Sequence, residues 1–387
     1  MEIVVVQGKK FEDAFIQVNV AVNKNDPEYI RPLDKDIIEV FDPEKNLAFK
    51  SGKAKRWLLR GKSGHYIGRI AAFVMDNYTN KGDEQPTGCF GFFDCINNQE
   101  AANLLFDTAK AWLQEQGKQA MDGPVNFGER DKWWGLLING FHAPLYRMNY
   151  NQPYYKDLFE NYGMQIFYNQ ICMSRHLRPP LADRFVERHR KIMEKGGFRA
   201  EMIQLDKLDK YAADFCEVYN KAWAGHEGGK QMSLESARKI FSKMKPVLEP
   251  RLMWFAYHND QPIATYLNLP ELNQIFRHLN GQFNAWAKLK FLYYKWKGVC
   301  NKFTGIVFGV IPRYQSLGID SFLIVEVGNV LLHTKNYNEC ELQWFGDFNP
   351  KIRNIAGHLE FEETRRLATY RYLFDQTMEF KRHPVLA

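Results

Sequence analysis

The sequence predicts an α/β protein made of two similarly built domains. Three observations carry this expectation. The chain has 387 residues, and at roughly 150 residues per domain two domains follow. The order of apolar β-type runs and helical periodicities repeats once along the chain. Between the two copies stands Pro179-Pro180, a pair that neither a helix nor a ladder accommodates.

The elements follow in order. EIVVV at the N-terminus reads as a strand leading into a helix. RWLLRGKSGHYIGRIAAFVM reads as paired strands around a turn at Gly61 to Gly64. A strand through Phe90-Gly91 precedes a helix over Gln99 to Glu115, then the strand MDGPVNF and a short helix ending in LFENYGM. After the prolines comes a basic helix, about Ala182 to Glu194, which Gly196-Gly197 ends. The second copy opens with FRAEMIQ and an amphipathic helix. It continues through RLMWFAYHNDQPIATYLNL, turning at Asn259-Asp260, to a strand through Phe308-Gly309. A helix over Ile319 to His333, the strand CELQWF and a short helix ending in AGHLEF complete it. The expected division is 1–178, a linker and basic helix over 179–197, and 198–387. The plain alternative is two unrelated α/β domains.

Composition excludes several classes. Hydrophobic residues make up 45% and charged residues 25%, which is ordinary globular usage. The apolar run Phe322 to Leu332 is interrupted by Glu326 and is short of the roughly 20 residues a spanning helix needs. The N-terminus lacks the basic and apolar regions of a signal peptide, and a cytoplasmic location is expected. Cys89, Cys95, Cys172, Cys216, Cys300 and Cys340 form no CxxC pair, so reduced structural thiols are expected and no metal. The net charge of +7 is dispersed and no nucleic-acid motif is present, which argues against a nucleic-acid partner.

The most informative stretch is GIVFGVIPRYQSLGIDSFLIVEVG, residues 305 to 328. A β-branched strand ends at Pro312, and a short loop reaches Gly318 and an apolar helix. Pro312 cannot donate to a ladder, so the strand opens there. Gly318 allows a positive φ or a close backbone approach. Loop amides at a helix N-terminus suit a phosphate. This stretch resembles the signature of the GNAT acyltransferase superfamily: strand, Pro, then Gln/Arg-x-x-Gly-x-Gly/Ala opening a helix. The flanking elements agree over about residues 198 to 375, and the first half resembles the same fold more weakly. The resemblance implies a tandem bacterial GNAT protein of α+β class, with two domains each holding a mixed, mostly antiparallel sheet flanked by helices. It implies coenzyme A or an acyl-coenzyme A as co-substrate, without metal. Val310 and Ile311 would face the pantetheine arm. Gln315, Ser316, Leu317, Gly318 and Ile319 would hold the pyrophosphate, Arg313 would contact the coenzyme, and Asn349 would touch the coenzyme arm.

The chain departs from that pattern. Asp320 stands where the signature has Gly or Ala, and Glu360 where it has the Gly of Leu-Gly-Phe. The general-acid Tyr frequent in the family is Ala356 here and Phe159 in the first half. The first half continues as FFDCINNQEAANLL with no Gln-x-x-Gly, so standard coenzyme binding is not expected there. Acyl transfer to an amine needs a base for the nucleophile and an acid for the leaving thiolate. The candidates are Glu341 on CELQWF, Tyr370 on the last strand and His226 in a Gly-bounded loop. Each has a plain alternative: an exposed strand residue, a packed aromatic and a surface histidine.

Residues 283 to 303 carry Trp286, Leu289, Tyr293 and Trp296 on one helix face, with Lys288, Lys290, Lys295 and Lys297 around it and no acidic residue. This stretch suits a membrane surface, an acidic acyl carrier protein or an acyl-chain clamp. Otherwise it is a helix docked on the sheet with extended Lys stems. Trp133, Trp134, Tyr154 and Tyr155 line an acceptor pocket between the domains or belong to the core. The sequence reading is an acyl-coenzyme A-dependent N-acyltransferase acting on an unknown amine. A non-catalytic acyl-coenzyme A-binding or regulatory protein and a tRNA-dependent aminoacyl transferase are the alternatives.

Overall fold

The computed structural model describes residues 1–387 apart from 77, 81–82, 129–132, 223–230, 335 and 386–387. The first half supplies β1 (Glu2–Val5), α1 (Lys9–Asn23), α2 (Asp34–Val40), β2 (Gly52–Arg60), β3 (Tyr66–Met75), β4 (Thr87–Cys95) and α3 (Gln99–Glu115). It ends with β5 (Ala120–Gly123), β6 (Leu136–Asn139), α4 (Tyr155–Asn161) and β7 (Gln165–His176). Helix α5 (Asp183–Lys195) follows Pro179-Pro180 and stops at Gly196, whose φ is 70°. The second half supplies β8 (Phe198–Met202), α6 (Leu208–Ala222), α7 (Leu234–Met244), β9 (Met253–His258), β10 (Gln261–Pro270), α8 (Asn273–Phe276) and α9 (Ala285–Trp296). It closes with β11 (Lys302–Val310), α10 (Ile319–Leu332), β12 (Glu339–Leu342), β13 (Phe345–Gly346), α11 (Pro350–His358) and β14 (Glu362–Leu373). Among the described residues no helix is long and apolar enough to cross a membrane.

The local rules hold where chemistry is local. The hairpin of β9 and β10 turns through Asn259 (φ 47°) and Asp260 (φ 65°), the left-handed pair that a two-residue hairpin requires. Helix α3 buries Ala101, Leu105, Ala109 and Trp112, spaced at four and three, and the Asn98 side chain caps its first turn. Full burial of each large apolar side chain contributes about 1.5–3 kcal/mol.

All strands join one sheet in the order β1-β2-β3-β4-β5-β14-β7-β12-β11-β10-β9-β8, with β6 on β14 and β13 on β7. Among the described residues only the β4–β5 and β11–β12 pairings are parallel, so the sheet is mixed and mostly antiparallel, as expected. The last strands of the two halves are exchanged. β14, from the end of the chain, lies between β5 and β7, and β7 lies against β12. Tyr370 of β14 thereby enters the core of the first half, its ring 5.4 Å from Phe159.

Two buried ion pairs hold β14 in that position. The Arg371 guanidinium takes both oxygens of Asp122 on β5 at 2.7 Å and lies over the Phe167 ring. Arg365, fully buried, takes Glu341 on β12 at 2.7 Å and the carbonyls of His142 and Ala143. Removing one partner of such a pair strands a buried charge. Arg371 also has Asp83 at 2.8 Å, whereas Glu341→Ala leaves the fully buried Arg365 with carbonyls alone and is therefore expected to lower stability by about 3–5 kcal/mol in urea denaturation. Glu84→Ala, which breaks an exposed pair with Lys381, should shift it by no more than about 0.5 kcal/mol.

Candidate functional site

The site begins where β11 and β12 part. They pair from Lys302↔Glu339 to Gly305↔Leu342. Beyond Leu342 the chain stays with β7, where Phe345 faces Ile171, while β11 stays with β10 up to Val310. The edge of β11 from Ile306 to Val310 is thus left open on the β12 side. Ile311 donates its N–H to Ile263 on β10. Strand alternation then turns the N–H groups of Phe308 and Val310 toward the gap.

The gap opens into a cavity of about 680 Å³, within the range of small-molecule sites. Ile306 and Phe308 of β11, Val327 and Gly328 of α10, Leu342 of β12 and Ile355 of α11 are among its walls. Tyr266 and Cys340 bring polar atoms to it, the hydroxyl and thiol 4.0 Å apart. Burial pushes the Tyr266 hydroxyl well above the usual tyrosine range and the Cys340 thiol up to about 12, so both keep their protons at neutral pH. Ala356, where the resemblance would place a tyrosine, also lines the cavity.

The loop beside the gap is built by two left-handed residues. Ser316 has φ 65° and Gly318 has φ 88°, so the glycine meets a backbone requirement. The Gln315 side chain donates to the Val310 carbonyl at 3.0 Å and ties the loop to the strand end. Helix α10 starts at Gly318 with no side-chain cap, which leaves its first amides for an outside partner. Arg313, Gln315, Ser316 and Leu317 are exposed, whereas Ile319 is buried and Asp320 lies in the first turn.

Helix α5 lies over this loop. A Cβ at Gly318 would sit 3.5 Å from the Arg188 Cβ. Arg188, Lys191 and Lys195 line a second cavity of about 350 Å³ together with Glu194 and Leu317. The basic character of this helix is plain in the sequence. Its contact with the loop is not, because α10 is more than a hundred residues further along the chain.

The equivalent place in the first half is closed. Val125 crosses the parting of β4 and β5 and donates to the Phe90 carbonyl. A Cβ at Gly91 would lie 2.0 Å from the Val125 oxygen. The following helix α3 has its first turn satisfied by the Asn98 side chain at Ala101 N–H. A separate cavity of about 350 Å³ in this half is lined by the buried Arg69–Asp94 pair and by Asn19 and Tyr29. Trp133, Trp134, Tyr154 and Tyr155 do not line it. They pack in or against the apolar clusters of this half.

The remaining site candidates have structural partners. Glu341 is buried, with Lys302 at 2.9 Å and Arg365 at 2.7 Å. Burial alone would raise its carboxyl, but the two cations outweigh it and hold it below the usual range. Tyr370 donates to Glu160 at 3.1 Å in the other half. Neither lines the large cavity. Asn349 caps α11 at Ile352 N–H. His226 lies outside the described residues. Glu360 sits at φ 62°, a conformation suited to the glycine of the related pattern, and accepts from Arg175. The 286, 289, 293 and 296 stripe of α9 is not its docking face. Ala287 and Phe291 are the buried residues of that helix.

No family model matches the chain. It is 24% identical over 352 residues to a bacterial ceramide synthase of Caulobacter vibrioides, covering 88% of this chain and 89% of that protein. It is 23% identical over 370 residues to protein YghO of Escherichia coli, covering 92% and 91%. Among solved structures it is similar to a tandem GNAT protein from the clavulanic acid biosynthesis pathway, with TM-score 0.53, 11% identity, and coverage of 96% of this chain and 98% of that one. It is also similar to a GCN5-related glucosamine N-acetyltransferase region of a fungal multi-domain β-N-acetylglucosaminidase, with TM-score 0.55, 11% identity, and coverage of 96% and 38%. The fold is therefore the GNAT fold in its tandem form.

One buried acid near the junction gives a pH signature. Glu271 accepts from the backbone N–H groups of Tyr146 and Asn273 and from the Thr304 hydroxyl. Burial raises its carboxyl to about 7 against the pull of those donors. The folded state thus holds a proton that the unfolded chain releases from about pH 4.3. Its contribution to stability is full below that pH and declines as pH rises to about 7. In urea denaturation at pH 5 and 7.5, Glu271→Gln should gain on the wild type as pH rises. A constant difference between the two proteins would contradict this assignment.

Proposed function

We propose that this protein is an N-acyltransferase that takes a long-chain acyl-coenzyme A in its C-terminal half and transfers the acyl group to the amine of a lipid-like acceptor. The observation that carries the reading is the apolar cavity of about 680 Å³ at the open edge of β11. Transfer of an acetyl group alone would leave most of such a space unused. The substitution of Ala356 for a bulky acid adds to the room. The closed gap and capped helix of the first half support assigning the donor to the second. The name of the Caulobacter relative, a ceramide synthase, denotes formation of an N-acylated long-chain amino alcohol and supports the acceptor class.

In this reading the amides of Phe308 and Val310 receive the pantetheine arm and the developing oxyanion. The amides of Ser316, Gly318 and Ile319 receive the pyrophosphate, while that of Leu317 is spent within the turn on Gln315. Arg188 and Lys191 add positive charge beside that loop, Arg313 lies just before it, and Asn349 is kept as a coenzyme contact on the resemblance alone. The acceptor nitrogen attacks the thioester carbonyl, the C–S bond breaks, and the coenzyme leaves as a thiolate that takes up a proton. Tyr266, kept protonated by burial, brings a hydroxyl to the cavity wall; it gives that proton to the thiolate and takes back the one the acceptor nitrogen loses as the amide forms. Glu341 and Tyr370 are struts here, not acids, and Cys340, held as a thiol by burial, is not the thiolate that nucleophilic attack would need. Most of the rate comes from positioning.

The test is a transfer assay with acetyl-, octanoyl- and palmitoyl-coenzyme A and a long-chain amino alcohol. Palmitoyl transfer is expected to exceed acetyl transfer by at least about tenfold in kcat/KM, the discrimination a few buried methylenes supply. Gly328→Leu, which fills the cavity from α10, should abolish that preference and spare the short donor. Tyr266→Phe should lower kcat by about 10²-fold with KM little changed. Equal use of all donors by the wild type would overturn the chain-length reading, and no transfer from any donor would overturn the activity.

A further inference from the structure

Helix α9 is apolar on two opposite sides, and the fold uses only one of them. Ala287 and Phe291 are buried, and Tyr294 lies over His278 beside them. The opposite side carries Trp286, Leu289, Leu292, Tyr293 and Trp296. Each is more than half exposed, and Trp296 is 83% exposed. At 3.6 residues per turn these five side chains fall within an arc of roughly 120°. Two lysines stand at each border of the arc, Lys290 and Lys297 on one side and Lys288 and Lys295 on the other. All four are exposed. A row of solvated aromatics is costly for a surface that meets only water, and single exposed apolar residues do not form such a row by chance.

The charge around the helix says what covers it. From residue 272 to residue 319 the chain has seven Lys and Arg residues and no Asp or Glu. The Lys290 ammonium lies 5.9 Å from the Trp286 ring at the rim of the arc, and the Lys295 ammonium is held by the Pro246 carbonyl. Indole and phenol groups at the centre with ammonium groups at both edges are the chemistry of a helix lying in a headgroup layer. A protein partner would need an apolar groove rimmed by carboxylates on both sides. A second copy would bring the same lysines face to face.

We propose that the outward face of α9 is an interfacial surface that seats the protein on an anionic phospholipid bilayer. The indoles of Trp286 and Trp296 enter the boundary between headgroups and acyl chains, and Lys288, Lys290 and Lys297 meet lipid phosphates, while the Lys295 ammonium is held by the Pro246 carbonyl at 2.6 Å. This surface is read from α9 alone and holds whether or not the protein transfers acyl groups. If the proposed activity is correct, it also places the enzyme where long-chain substrates partition.

The test is co-sedimentation of the full chain with vesicles of phosphatidylcholine alone and of phosphatidylcholine with phosphatidylglycerol, without substrate. Binding to the anionic vesicles is expected to exceed binding to neutral ones by at least tenfold and to weaken as salt rises. The variant Trp286→Ser, Leu289→Ser, Trp296→Ser should lose at least tenfold in vesicle affinity while keeping its thermal unfolding, since the three side chains are solvated. Lys290→Gln with Lys297→Gln should lose the preference for anionic lipid. Absence of binding to anionic vesicles, equal binding by the triple variant, or a concentration-dependent dimer that the triple variant abolishes would each overturn the proposal.

Discussion

The exchanged last strand is the constraint on which the rest of the molecule depends. β14 belongs by sequence to the second half and lies by pairing between two strands of the first. Arg371 is bound to Asp122 on one neighbour, and Arg365 reaches Glu341 across the junction. These two guanidinium groups cannot be left unpaired in the interior, so the strand has one register in which both charges are met. The two half-sheets thereby become one sheet. β7 is committed to β14 and β12 together, which draws the chain after Leu342 away from β11. The parting of β11 and β12, and with it the cavity, follows from that commitment.

The same logic explains the asymmetry between the halves. Each has two parallel strands that part after a few residues. In the first half the backbone of Val125 closes the parting and Asn98 satisfies the next helix. In the second the parting stays open and α10 begins on a bare glycine. An open strand edge beside an uncapped helix start is a poor solution for stability, because both leave amides unmet within the fold. A ligand that supplies acceptors at both places removes that deficit. The linker helix α5 adds its positive charge at the same spot.

How much of this could be read from the chain depended on range. The strand, loop and helix from Gly305 to Gly328 were legible because Pro312 and Gly318 act on their own backbone. The hairpin at Asn259-Asp260 and the end of α5 at Gly196 were legible for the same reason. Tyr370 and Glu341 were readable as strand residues only. Which half Tyr370 enters is decided by the strand exchange, and Glu341 meets Arg365 through pairings that no local pattern announces. In the sequence Tyr266 is one aromatic in an apolar strand, and only the register with Phe308 puts it on the cavity wall. The stripe on α9 was legible as a stripe, but periodicity does not say which of two apolar sides is turned inward.

The most direct test of the account is hydrogen exchange of the backbone amides with and without palmitoyl-coenzyme A. Exchange should slow in residues 306–310 and 316–321, with little change at the equivalent strand and helix start in residues 90–101. Slowing confined to the first half, or absent from both loops under saturating ligand, would contradict it.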